Sequence, residues 1–198
     1  MRDTLRRAAR PSLVKSVDEQ IDDIFEREGK KYHDVPGDRG GPTGAGGISL
    51  RYARGIGLDL DGDGDVDKDD IMLVTLDVAR ELYKRDFFYG PMISSLPVDL
   101  HPQMFDTAIP SGPPMAIILL QRTLNRRFGC NLTEDGRMGK NTRRAAETAC
   151  TTFGWVRVNN DLVEVRKAFF HAIVARDASQ TKFLSGWLKR AESFRVRA

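Results

Sequence analysis

The sequence predicts a mainly α-helical chain with at most a small β-hairpin near residues 44–50. Three observations carry that expectation. Val17, Ile21, Ile24 and Phe25 recur at helical spacing behind a Ser16-Val-Asp-Glu19 capping box. Met115-Ala-Ile-Ile-Leu-Leu120 is an apolar run set off upstream by Pro110, Gly112, Pro113 and Pro114. Between these lies the acidic run Asp59 to Asp70, a loop between two helical segments.

Taken in order, residues 1–15 form a basic arm with five basic side chains and one acidic. A helix follows over 16–29, then a glycine-rich stretch from Gly29 to Gly47. The next helix spans 69–88, with a break near Thr75, and another spans 97–108. The central buried helix is 113–128, ended by Gly129 at the position after the last turn. Asp135-Gly136 marks a turn, and Asn141 or Thr142 supplies the cap of a helix over 140–153. Two more helices are expected at 159–177 and 180–194.

Glu28 lies four residues after Ile24 and three after Phe25, so it projects from the apolar stripe of the first helix. Burial there disfavours the charged form and raises a carboxyl pKa. A carboxylic acid kept protonated beside a polar, glycine-rich loop suits the general acid that cleaves a sugar bond.

The residues around Glu28 resemble a known family. Glu28-Gly-x-x-Tyr32, Asp38-x-Gly-Gly-Pro-Thr43 and Gly47-Ile48 are similar to the signature of glycoside hydrolase family 108, which comprises lysozyme-like phage endolysins and secretion-linked muramidases. The likeness continues through Leu76-x-x-Ala-x-x-Leu-Tyr83, Phe105-Asp106, Ser111-Gly112-Pro113 and Gly186-Trp187-Leu188. Residues from about 113 resemble the predicted peptidoglycan-binding region that accompanies this family, through Leu120-Gln121, Asn125 and Asp135-Gly136-x-x-Gly139-x-x-Thr142.

The resemblance implies a lysozyme-like helical fold divided into the basic arm at 1–15, a catalytic region at 16–112 and a helical peptidoglycan-binding region at 113–198 packed upon it. It implies an endolysin-type muramidase that cuts the β-1,4 bond between N-acetylmuramic acid and N-acetylglucosamine. Glu28 takes the place of the proton donor, Asp38 that of the second carboxylate and Thr43 that of a water-positioning hydroxyl. Tyr32, His33 and Gln121 are candidate substrate contacts. Two departures bear on the shape of the sugar groove: Lys30 stands where the family has a second glycine, and no aromatic residue precedes Gly47-Ile48. A lytic transglycosylase using Glu28 alone stays open, as does a non-catalytic, calcium-stabilised cell-wall-binding protein.

The acidic run is read from its own spacing. Counting from Asp59, carboxylates fall at positions one, three, five, nine and twelve: Asp59, Asp61, Asp63, Asp67 and Asp70. Gly64 falls at the sharp turn of position six, Asp65 offers its carbonyl at seven, and Val66 at eight is apolar. This is an EF-hand-like calcium loop over 59–70, with aspartate rather than glutamate at position twelve. The expected role is structural, and no cofactor is expected for catalysis.

At 198 residues and 40% hydrophobic, the chain is long enough for an ample core. Its net charge of +3 conceals a −6 stretch at 59–70 and a +4 stretch at 182–198. No DNA-binding motif accompanies the basic ends, which argues against nucleic acid. No apolar run reaches transmembrane length, so no stable membrane insertion is expected. Cys130 and Cys150 lack the paired spacing of zinc ligands and are expected as free thiols, with a disulfide after export as the alternative. The expected partner is bacterial peptidoglycan, met by a monomer. The chain shows no signal-peptide core. It is therefore expected to be made in the host cytoplasm and to act in the periplasm after holin-type or other non-classical release.

Overall fold

Helix α1 (Val17–Glu28) begins as the capping box requires. Ser16 Oγ accepts from the Glu19 N–H at 3.3 Å, and Glu19 Oε2 accepts from the Ser16 N–H at 2.6 Å. The structure, a computed structural model, describes residues 15–29, 31–34 and 40–197, and of Glu28 the backbone alone. Ile21, Ile24 and Phe25 are buried, each adding about 1.5–3 kcal/mol by leaving water. The helix stops at Gly29, whose N–H still donates to Phe25 O at 3.1 Å.

Near 44–50, where at most a small hairpin is expected, no strand forms. Thr43 instead forms isolated antiparallel bridges with His33 and with Ser49, and residues 45–47 turn as a short 3-10 segment. A helix not anticipated, α2 (Leu50–Ile56), starts at Ser49, whose Oγ accepts from the Tyr52 N–H at 3.3 Å. Seven residues are too few for a periodic apolar pattern to stand out.

The helix expected over 69–88 has its expected break near Thr75 and, beyond it, a change of helix type. α3 (Lys68–Leu73) and α4 (Leu76–Leu82) are separated by extended Val74 and by Thr75, which caps α4. A π-helical segment, Tyr83–Tyr89, then continues α4. Gly90 N–H donates to Arg85 O at 2.8 Å across its wider turn. Tyr83 and Phe88 are buried against Phe105, with ring centroids 6.4 and 5.2 Å away. Edge-on and tilted ring pairs of this kind add to burial.

Helix α5 (His101–Ser111) contains Pro110, so the boundary before the central helix is Gly112 alone. α6 (Pro113–Phe128) and α7 (Lys140–Phe153) have the expected limits, but Gly139, not Asn141 or Thr142, stands at the cap of α7. α8 (Trp155–Arg176) takes in four residues before 159, and α9 (Thr181–Glu192) closes the fold. Trp187 packs between Phe170 and Phe183 at 5.4 and 5.7 Å. Cys130 and Cys150 are free, and burial pushes the Cys150 thiol up to about 11. Among the described residues there is no strand, and no helix is long and apolar enough to cross a membrane.

One buried cluster runs from Ile21 through Phe105 and Leu120 to Val165, so residues on both sides of Gly112 share a core. A charged node crosses the same boundary. Asp106 on α5 is 2% exposed. Its Oδ2 accepts from Arg166 Nη2 at 2.6 Å, and its Oδ1 from Arg190 Nε at 3.0 Å. Arg27, one residue before Glu28, lies 3.3 Å from the same carboxylate. Arg166 is fully buried, and burial lowers its pKa against the opposing pull of Asp106.

Candidate active site and acidic loop

The end of α1 meets the glycine-rich segment directly. Gly46 N–H donates to Gly29 O at 3.0 Å, one residue beyond Glu28. Gly46 is held from the other side by Tyr83, whose hydroxyl donates to Gly46 O at 2.7 Å. Its φ of +69° and its neighbours explain the choice of glycine. A Cβ there would meet Phe25 Cε1 at 2.7 Å and Ala79 Cβ at 2.9 Å. Gly44 is confined in the same way, since its Cβ would meet Ile71 O at 2.6 Å. Gly46→Ala is expected to cost about 1–3 kcal/mol by overpacking, read as a lowered melting temperature. An unchanged melting curve would show that the contact yields easily.

Thr43 and His33 exchange two backbone hydrogen bonds, each 2.9 Å long. The Thr43 side chain is buried and its hydroxyl donates to Gly41 O at 3.2 Å, which leaves the oxygen lone pairs for a further donor. Tyr32 is partly buried against the core. His33 is exposed, with Nδ1 3.4 Å from Lys31 O. The backbone therefore gathers the end of α1, Tyr32, His33, Thr43 and residues 44–47 into one place. Asp38 and the Glu28 side chain, with its expected burial, lie outside the described residues.

Gln121 lies on α6. It is 1% exposed. Its Nε2 donates to Asp135 Oδ1 at 2.9 Å and to Thr142 Oγ1 at 3.1 Å, and its Oε1 accepts from the Gly136 N–H at 3.1 Å. With both ends engaged, this amide clips the 135–142 segment to α6. The same buried amide uses Thr142 as an acceptor, which is why that threonine is not a cap. Sequence reasoning also passed over Asp106 and its arginines, because charges 60 or more residues apart carry no local signal.

The acidic loop joins α2 to α3. Asp70 is 1% exposed and organises it, accepting from the N–H groups of Leu60 at 2.5 Å, Asp61 at 3.3 Å and Asp67 at 2.8 Å. Those bonds, that from Asp67 foremost, hold its pKa below the usual carboxylate range. Asp59 accepts from the Gly62 and Gly64 N–H groups at 2.7 and 3.1 Å, and Gly64 has φ +97°. Carboxylate oxygens of Asp59, Asp61 and Asp63 lie within 4.8 Å of one another, as do those of Asp65, Asp67 and Asp70. The nearby charge of Asp63 pushes the Asp65 carboxyl up. Two such groups of hard oxygen donors can hold a metal ion. Arg54 on α2 donates to Val66 O at 2.9 Å, and Ile71 on α3 packs over Gly44, so the loop braces helices that touch the site.

Comparison with known proteins places this arrangement. Residues 21–112 match the Glycosyl hydrolase 108 family, and residues 115–192 match the Predicted Peptidoglycan domain. Glu28, Thr43, Asp106 and the acidic loop all fall inside that stretch, whereas Gln121, Arg166 and Arg190 fall in the peptidoglycan domain. The two matches together make the chain a peptidoglycan-degrading glycosidase. A solved structure described as "Structure of Brucella abortus SagA" has the same fold, with a TM-score of 0.66 and 24% identity, over 92% of this chain and 97% of that one. No curated protein matches the chain.

Proposed function

We propose that the chain is a muramidase that hydrolyses the β-1,4 bond between N-acetylmuramic acid and N-acetylglucosamine, with Glu28 as general acid. The observation that carries this reading is the convergence at the end of α1. The helix that ends at Glu28 is tied by Gly29 to Gly46, beside the paired Thr43 and His33, within the family 108 stretch. Glu28 protonates the leaving glycosidic oxygen. Asp38 supplies the second carboxylate, activating water or stabilising positive charge on the sugar, and the Thr43 oxygen orients that water. Tyr32 and His33 flank the bound glycan.

Analysis of the products released from purified Gram-negative peptidoglycan tests the reaction. Reducing N-acetylmuramic acid ends are expected. Anhydro-muropeptides would make the enzyme a lytic transglycosylase, and intact glycan after prolonged incubation would leave a binding protein.

Calcium is the ion that the loop suits, held by Asp59, Asp61, Asp63, Asp67 and Asp70 with the Asp65 carbonyl. It would neutralise crowded carboxylates and keep α2 and α3 braced around Gly44. At a concentration a hundredfold above its Kd, calcium is expected to add about 2.7 kcal/mol. That corresponds to a rise of about 5–10 °C in melting temperature over the chelated protein. Protons compete for the same oxygens, so the rise should shrink as pH falls into the carboxylate range. Equal melting temperatures with calcium and with chelator would remove the ion from the account.

A further inference from the structure

The two sides of the Gly112 boundary differ sharply in charge. Residues 113–198 carry sixteen Lys and Arg against seven Asp and Glu, a net of +9, while residues 1–112 sum to −6. A groove of about 580 Å³ lies on the basic side, between α6 and α8. Met115, Ile118, Arg122 and Arg126 face it from α6, and Val165, Phe169, Ala172 and Arg176 from α8, each series at helical spacing. Arg127 near the end of α6 lies 3.8 Å from Asp161 in the first turns of α8, so the two helices run antiparallel. Arg126 and Arg127 therefore stand at one end of the groove and Arg176 at the other. The α8 wall from Glu164 to Arg176 is about 18 Å long at the helical rise. The floor between is apolar and partly solvent-facing.

Arg126 and Arg176 are exposed and have no carboxylate within 4.0 Å among the described residues. Arg122 is held by Glu134 at 2.8 Å, and Glu164 lies on the same rim. The groove thus offers guanidinium groups at both ends, carboxylates on its wall and a shallow floor fit for methyl groups.

We infer that this groove binds the acidic stem peptide of peptidoglycan, an inference that rests on the peptidoglycan reading of the whole chain. In peptidoglycan the glycan is nearly neutral and the negative charge sits on the stem peptides. A four-residue stem, extended, spans about 13–14 Å. It carries carboxylates at its second residue and its C-terminus, small alanine side chains and, when the third residue is diaminopimelate, a side-chain end with both an ammonium and a carboxylate. Guanidinium forks hold carboxylates at the two ends, Glu134 or Glu164 takes the ammonium, and the alanine methyls cover the floor.

The test is calorimetric titration of the full chain with N-acetyl-L-Ala-γ-D-Glu-meso-diaminopimelyl-D-Ala, which contains no glycosidic bond. One saturable site is expected. Arg126→Gln with Arg176→Gln should weaken binding at least tenfold, as should amidation of the peptide carboxylates, with the melting temperature unchanged because both arginines are exposed. Equal affinity in the double variant, or no binding by the wild type at millimolar peptide, would overturn the assignment. So would arginine-dependent binding to phosphatidylglycerol vesicles without binding to the peptide. Because no bond is cleaved, the result is independent of the hydrolase reading. Loss of peptide binding beside normal release of reducing ends would remove the groove alone.

Discussion

Glu28→Gln is expected to cut the release of reducing ends from peptidoglycan by about 10²–10⁴-fold, the usual share of a general acid. That loss corresponds to about 3–5 kcal/mol of transition-state stabilisation. The amide has the shape of the acid but no proton to give to the leaving oxygen. The position favours a clean comparison. Glu28 is the last residue of α1, the helix is anchored by Ile21, Ile24 and Phe25, and its end is fixed by Gly29. Folding should therefore be retained, and matching melting curves for both proteins would establish that. A Gln variant as active as the wild type would refute Glu28 as the proton donor. Reducing activity with an intact fold would place the acid in this chain at the point where α1 meets Gly46.

Asp106→Ala is expected to destabilise the protein by about 3–5 kcal/mol, the range for removing one partner of a buried ion pair. That is a fall of about 6–20 °C in melting temperature for a chain of this size. Asp106 is the carboxylate common to Arg27, Arg166 and Arg190. Arg166 is wholly enclosed, stacked within 5.6 Å of both Phe170 and Phe194, and its loss of hydration is offset mainly by this one carboxylate. Without Asp106 the guanidinium groups would repel one another in a site that excludes water. Arg166→Met tests the same node from the other side. A methionine occupies the space without charge, so its cost should be smaller than that of the alanine variant. If Asp106→Ala melts within 2–3 °C of the wild type, about 1 kcal/mol, the node contributes little and the apolar core alone joins the two regions.

This node also ties the peptidoglycan domain to the hydrolase. Arg166 and Arg190 come from α8 and α9, while Arg27 sits beside Glu28 on α1. The shared core adds Leu120 and Val165 to a cluster that includes Phe25 and Phe105. Residues 113–198 therefore contribute to the folding of the first region as well as carrying the basic groove.

The elements legible in the sequence are those whose cause is local. The capping box and apolar spacing of α1 lie within a dozen residues, as do the limits of α6 and α7, and each appears in the structure. The spacing of the aspartates likewise exposed a group able to hold a metal ion. Where the cause is distant, the sequence was silent or misleading. At 44–50 the sequence allowed at most a small hairpin, and only the fold shows why single bridges form there: Phe25, Ala79 and Tyr83 clasp Gly46 from other elements. The break near Thr75 was legible, but the helix beyond it widened at Tyr83 as its aromatic rings turned toward Phe105. Gln121 looked like a surface amide or a substrate contact, and only the fold of 135–142 against α6 made it a buried clip. By itself the sequence determined the helical class, the family signature around Glu28 and the aspartate loop, since short-range spacing encodes all three. The tertiary structure alone decided the Asp106 node, the cradle of Gly46 and the groove between α6 and α8, because each is built from residues that only packing brings together.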